Sequence, residues 1–180
     1  MKRVLIITIQ ITVILLILVF GVVSYLVASG VTKAERQPQE DHPDSYELNF
    51  DDVRFPSRDA DVLLEGWYIR SHDSAQTLIF VHGLGSERTG DGAVQLASKM
   101  VDRGYDVLMF DLRAHGTSGG DKVSGGHMEQ EDVLGAFDYL VERGVSAEKI
   151  GLLGFSMGAG VSLTAASREP GIRAVVADST

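Results

Sequence analysis

From Val4 to Ala28 the chain runs 25 residues without a charge, interrupted only by Thr8, Gln10, Thr12, Gly21 and Ser24. Such a run divides the sequence between two solvents. As a helix it would reach ~37 Å, enough to cross a hydrocarbon core of ~30 Å with some tilt. A buried core helix rarely needs so many uncharged residues. A cleavable signal peptide is the fairer rival: Val27-Ala28-Ser29 offers small residues where a peptidase could cut. Signal peptides, however, usually carry an apolar region of only about 7–15 residues. The run therefore reads as an uncleaved single span over residues 4–28, within an anchor segment of residues 1–36. Lys2 and Arg3 precede it and favour an inside N-terminus, with Lys33 and Arg36 diluting the bias. The body then lies outside the cytoplasm. Residues 29–45, with Pro38, Pro43 and several charges, read as a solvated tether.

Residues 37–180 form the second part. The anchor segment holds Lys2, Arg3, Lys33 and Arg36 against Glu35, a net +3, which leaves 12 basic and 24 acidic groups, a net −12, on the body. That surface repels phosphate backbones and argues against a nucleic-acid partner. Without cysteine there is no disulfide framework, no Cys-ligated zinc and no thiolate nucleophile. Tyr46, Leu48, Phe50, Val53 and Phe55 are spaced like a strand with a bulge at Asp51-Asp52, and Val62 to Ile69 pairs with it as a hairpin. Alternation follows: strands at 77–81, 105–110, 149–153 and 173–177, helices at 93–101, 128–141 and 157–167. Short Val/Ile/Leu-rich strands alternating with helices predict an α/β architecture, a mostly parallel sheet covered on both faces.

The chemistry concentrates where strands give way to loops. Gly154-Phe155-Ser156-Met157-Gly158 follows a buried strand and opens a helix, the context of a nucleophile elbow. Side chains at 154 and 158 would collide with the neighbouring helix and strand, so glycine is required at both. Ser156 is then held strained with its hydroxyl at the top of the sheet, and the N–H of Met157 faces a developing oxyanion. His82-Gly83-Leu84-Gly85 ends the third strand, and the Leu84 N–H is the expected second oxyanion donor; His82 supports the loop. A dinucleotide site is the rival for these glycines, but Arg88 stands where its third glycine should be. In Asp111-Leu-Arg113-Ala-His115, Asp111 and Arg113 are expected to pair and pin the loop, with His115 bonding inside it. His127 and Glu129 read as solvated residues at a helix start. No metal site is expected, since no helical i, i+4 pair of ligands exists.

The His82-Gly83 loop, the loop from Asp111 to Gly120 and the elbow from Gly154 to Gly158, in this order and at these intervals, resemble the α/β-hydrolase superfamily, and within it the serine-aminopeptidase-like and Bem46-like branch. The resemblance covers roughly residues 46–180. It implies the α/β-hydrolase fold with its N-terminal antiparallel hairpin, Ser156 as nucleophile, Leu84 and Met157 as oxyanion donors, and a structural His115 loop. It also implies a serine hydrolase acting on a small-molecule ester, thioester or amide, without a cofactor.

The family's order is Ser, then Asp or Glu, then His. After Ser156 only Glu169 and Asp178 are acidic and no histidine occurs. Six of the family's eight strands are counted, and the strand at 173–177 would be an unpaired apolar edge. The sequence is accordingly read as the N-terminal part of a longer hydrolase, inactive by itself because a serine hydroxyl needs a base. A non-catalytic anchored module that kept the elbow and lost the base is the alternative.

Overall fold

The structure is a computed structural model and describes residues 2–33, 36–74 and 76–179. Contacts divide it into two compact units, Met1–Lys33 and Ala34–Thr180. In the first, helix α1 spans Lys2–Val31 and contains the whole uncharged run. It is long and apolar enough to cross a membrane by length and composition. Its few polar side chains turn back on the helix: Thr8 Oγ1 donates to the Val4 carbonyl at 3.0 Å and Thr12 Oγ1 to that of Thr8 at 2.9 Å. Such back-bonding lets a hydroxyl sit among apolar neighbours without seeking water.

The second unit is built on one six-stranded sheet. Its strands are β1 (Asn49–Pro56), β2 (Leu63–Arg70), β3 (Gln76–Val81), β4 (Tyr105–Phe110), β5 (Ile150–Phe155) and β6 (Ala174–Asp178), ordered β1-β2-β4-β3-β5-β6. β2 runs antiparallel to both β1 and β4, while β4, β3, β5 and β6 are mutually parallel. The connecting helices are α2 (Ala93–Val101), α3 (Glu129–Glu142) and α4 (Met157–Arg168).

Period-two alternation sorts the strand side chains into two cores. Ile79, Val81, Leu108, Phe110, Ile150 and Leu152 pack with Leu134, Leu140 and Val161 of α3 and α4. Phe80, Val107, Met109 and Ile69 pack with Val94 and Ala97 of α2. Both faces are covered, so the strands had to be apolar throughout.

β1 differs from the expected bulged strand. Its register against β2 advances without interruption from Asn49↔Arg70 to Pro56↔Leu63. The irregular spacing has another cause: Phe50 packs toward the α2 face, while Val53 and Phe55 pack toward the α3–α4 face. Tyr46 and Leu48 lie before the strand, where the chain makes a single 3₁₀ turn at Pro43–Tyr46 and Glu47 takes a left-handed φ of 55°.

The expected solvated tether at residues 29–45 is corrected in part: α1 continues to Val31, and some later residues touch the body though most stay exposed. The Glu40 N–H donates to Thr89 Oγ1 at 3.1 Å, and the His42 ring meets Trp67 edge-on at 4.9 Å. Arg36, Glu40 and His42 thus contact the body, while residues 36–40 keep their exposure to solvent. Residues 34 and 35 of the tether lie outside the described residues.

Candidate active site

Parallel strands bring their C-terminal ends to one edge, and β3, β4 and β5 end there in His82, Asp111 and Ser156. The register Val81↔Gly154 sets the end of β3 directly beside the turn that follows β5. Such an edge, where successive connections leave to opposite faces, is where ligands bind in open α/β sheets.

Ser156 occupies that turn at φ 50°, ψ −120°, a conformation costly for any residue with a Cβ. Its N–H donates to the Asp178 carbonyl at 2.9 Å, and its own carbonyl accepts from Ala159 N–H at 3.0 Å. The peptide groups are thus fixed while the side chain is left exposed. The flanking glycines are sterically necessary. A Cβ on Gly154 would lie 2.6 Å from the Gly158 carbonyl carbon and from Ser162 Oγ, and one on Gly158 would lie 2.5 Å from the His82 carbonyl oxygen. These are mostly backbone atoms and cannot rotate aside.

Gly83 closes the other side. A Cβ there would stand 3.2 Å from Ser156 Cβ and 3.8 Å from its Oγ. The next peptide N–H, that of Leu84, finds no acceptor among the described residues. Met157 opens α4, so its N–H is one of the four orphan donors of a helix N-terminus. Both amides stand next in chain to groups that border the Ser156 hydroxyl.

The two histidines here are struts. His82 Nε2 accepts the Leu112 N–H at 3.0 Å and its Nδ1 bonds the Gly83 carbonyl at 2.8 Å. His115 Nε2 accepts the Gly85 N–H at 3.3 Å and its Nδ1 bonds the Arg113 carbonyl at 2.8 Å. Each ring is therefore the neutral Nδ1–H tautomer. Burial drives the His82 pKa down to about 4, and burial likewise lowers that of His115. The rings meet edge to face at 4.9 Å.

The expected Asp111–Arg113 pair does not form. The chain leaves β4 at Phe110 and turns from Arg113 onward, so the two side chains do not stay on one strand face and find different partners. Asp111, fully buried, pairs with Arg88 at 3.0 Å and also accepts the N–H groups of Arg88 and Thr117. Arg88 in turn lies over the Trp67 ring, 4.6 Å from its centroid. Arg113 instead donates to Asp132 at 2.8 Å and reaches Asp59 at 3.4 Å. Both residues still pin the loop, but each to a separate wall.

Glu129 is a second correction. It is not solvated but fully buried, accepting from Ser124 N–H at 2.7 Å, Ser124 Oγ at 2.6 Å and Gly126 N–H at 2.7 Å. Burial opposes its charge, but these donors prevail and hold its carboxyl below the usual range. Its place in the first turn of α3, where an acidic side chain meets unpaired backbone N–H groups, is the one signal in the sequence that could have revealed it. His127 is exposed, as expected. Among the described residues no side chain hydrogen-bonds Ser156 Oγ, and no cluster of potential metal ligands occurs.

The family description "alpha/beta hydrolase fold" matches residues 76–180. The chain belongs to the α/β-hydrolase family. The Pyrococcus furiosus esterase Pf2001 superimposes with a TM-score of 0.74 at 33% identity, over 83% of this chain and 57% of that one. Protein YfhR of Escherichia coli K12, itself uncharacterized, is 31% identical over 136 residues, 71% of this chain and 46% of its own. The lysophosphatidylserine lipase ABHD12 of Danio rerio is 32% identical over 97 residues, 53% of this chain and 25% of its own. The chain thus spans from a quarter to under half the length of these two curated relatives.

Proposed function

We propose that this α/β hydrolase is a membrane-anchored serine hydrolase that cleaves small esters, thioesters or amides through an acyl-enzyme on Ser156. One observation carries the reading: an exposed serine held at φ 50°, ψ −120° between two glycines that admit no side chain. Such strain persists only where the surrounding structure enforces it. An esterase and a lipase among the relatives favour the oxygen ester within that range.

Ser156 Oγ attacks the acyl carbon while a base takes its proton. Electron density moves onto the carbonyl oxygen, which the amides of Leu84 and Met157 receive. Collapse expels the alcohol, and water then releases the acid from the acyl-serine. The proton acceptor is a group that the described residues do not bring to Ser156: His82 and His115 have both ring nitrogens engaged. That same observation favours the second reading, a non-catalytic module.

Protein expressed from its complete reading frame and treated with a fluorophosphonate probe separates the two. The enzyme gains one adduct, mapped to Ser156 and lost in Ser156→Ala; the module gains none. For the anchor, protease added to intact cells should digest the body while α1 stays membrane-bound; a fully protected body would reverse the proposed orientation.

A further inference from the structure

The segment preceding β1 makes one contact of unusual density. Arg36 Nη1 donates to the carbonyls of His115 at 3.1 Å, Gly116 at 2.7 Å and Ser118 at 2.6 Å, and Nη2 donates to that of Gly120 at 2.9 Å. Four carbonyls of one loop converge because left-handed residues turn its peptides: Ala114 at φ 61°, Gly116 at 42° and Gly120 at 84°. The carbonyls of Gly116, Ser118 and Gly120 have no other donor among the described residues. Neighbouring residues of the segment are fastened too. The Glu40 N–H holds Thr89 Oγ1, and Gln39, with its amide oxygen turned inward, accepts from Arg88 Nε at 2.8 Å.

We propose that Arg36 is a positioning residue for the oxyanion loop: by filling the carbonyl cage of residues 115–120 it holds His115 where its Nε2 fixes the Gly85 N–H, and so sets the adjoining Leu84 amide beside Ser156. This rests on the reading of Leu84 as an oxyanion donor, but the clasp itself is independent of catalysis. The path is short and polar at every link: guanidinium to loop carbonyls, His115 ring to Gly85 amide, Gly85 to Leu84. The charge of Arg36 acts in the same sense. His115 accepts from Gly85 only while neutral; burial keeps it so first, Arg36 adds to that, and Glu129 and Asp111 oppose it. His82, the remaining titratable neighbour, faces it ring to ring.

The clasp makes the segment after α1 part of the site. Arg36 follows Lys33, the last residue of the first compact unit, by three positions.

The test uses the full chain in detergent, with Arg36→Ala and Arg36→Lys, read by amide hydrogen exchange in peptides spanning residues 83–86 and 113–120. Losing four hydrogen bonds from one charged donor, Arg36→Ala should speed exchange in both peptides by about tenfold or more. β4 should stay unchanged. Guanidinium chloride well below denaturing concentrations should refill the cage and restore protection, whereas tetramethylammonium chloride at equal ionic strength should not. Arg36→Lys, whose ammonium brings three donors to the three carbonyls around Nη1, should fall between. Ser156→Ala should leave all of this intact, which separates failure of the clasp from failure of the hydrolase reading. Loosening confined to residues 113–120, with 83–86 unmoved, overturns the proposal. So does equal recovery with tetramethylammonium.

Discussion

Ser156→Gly should make this protein more stable. Ser156 sits at φ 50°, ψ −120°, and a non-glycine residue so placed costs on the order of 1–3 kcal/mol. Its side chain is exposed and its hydroxyl has no hydrogen bond among the described residues, so its removal gives up little contact energy. Glycine relieves the strain but gives the unfolded chain extra freedom, worth roughly 0.5–1 kcal/mol against folding. The balance is a gain of about 0.5–2 kcal/mol. Ser156→Ala keeps the Cβ and therefore the strain, and should lie close to the parent. Urea unfolding of the three proteins at neutral pH, with m-values compared to confirm equal exposure on unfolding, reads the difference directly. A Ser156→Gly protein no more stable than Ser156→Ala would show that the turn is not strained. It would remove the main physical reason for singling out this serine.

Acidification should act through His82. With a folded pKa of about 4 against an ordinary 6.5, the unfolded chain binds the proton first as pH falls. Its contribution is fully present above about pH 6.5 and is lost on the way down to about 4, some 3 kcal/mol in all. Urea midpoints followed from neutral pH to about 4.5 should fall more steeply than those of His82→Asn, each referenced to its own neutral value; parallel profiles refute this. Arg88→Ala should destabilise by about 3–5 kcal/mol, because it leaves the fully buried Asp111 carboxylate without its cation. Adding Asp111→Asn should recover part of that loss in thermal denaturation, and a double variant no better than the single one would show that the pair is not the cause.

Much of the fold was legible because the strands are buried on both faces. The apolar runs at Leu78–Val81 and Val107–Phe110 cannot be surface strands, and the glycines at 104 and 144 stop the preceding helices in left-handed conformations. The elbow was legible because its glycines are demanded by backbone contacts, which sequence spacing encodes locally. β1 was misread because Phe50 and Val53 serve different faces, and a two-sided strand looks like a bulged one. Partner choices among charged residues were legible least. Asp111 and Arg113 are two apart and look like a pair, but the chain turns after β4 and the cations and acids of other segments claim them, Arg88 for Asp111 and Asp132 for Arg113. The burial of Glu129 and the cage around Arg36 depend on long-range packing and on loop peptides turned by positive φ; neither leaves a periodic trace.

Hydrolysis through Ser156 requires that its hydroxyl carry an acyl group. Protein from the complete reading frame, mixed with an activated short-chain ester and quenched early in the reaction, should show a mass increase equal to one acyl group on the peptide that holds Ser156. A turnover that never loads that peptide, or an acyl group found on another residue, contradicts it.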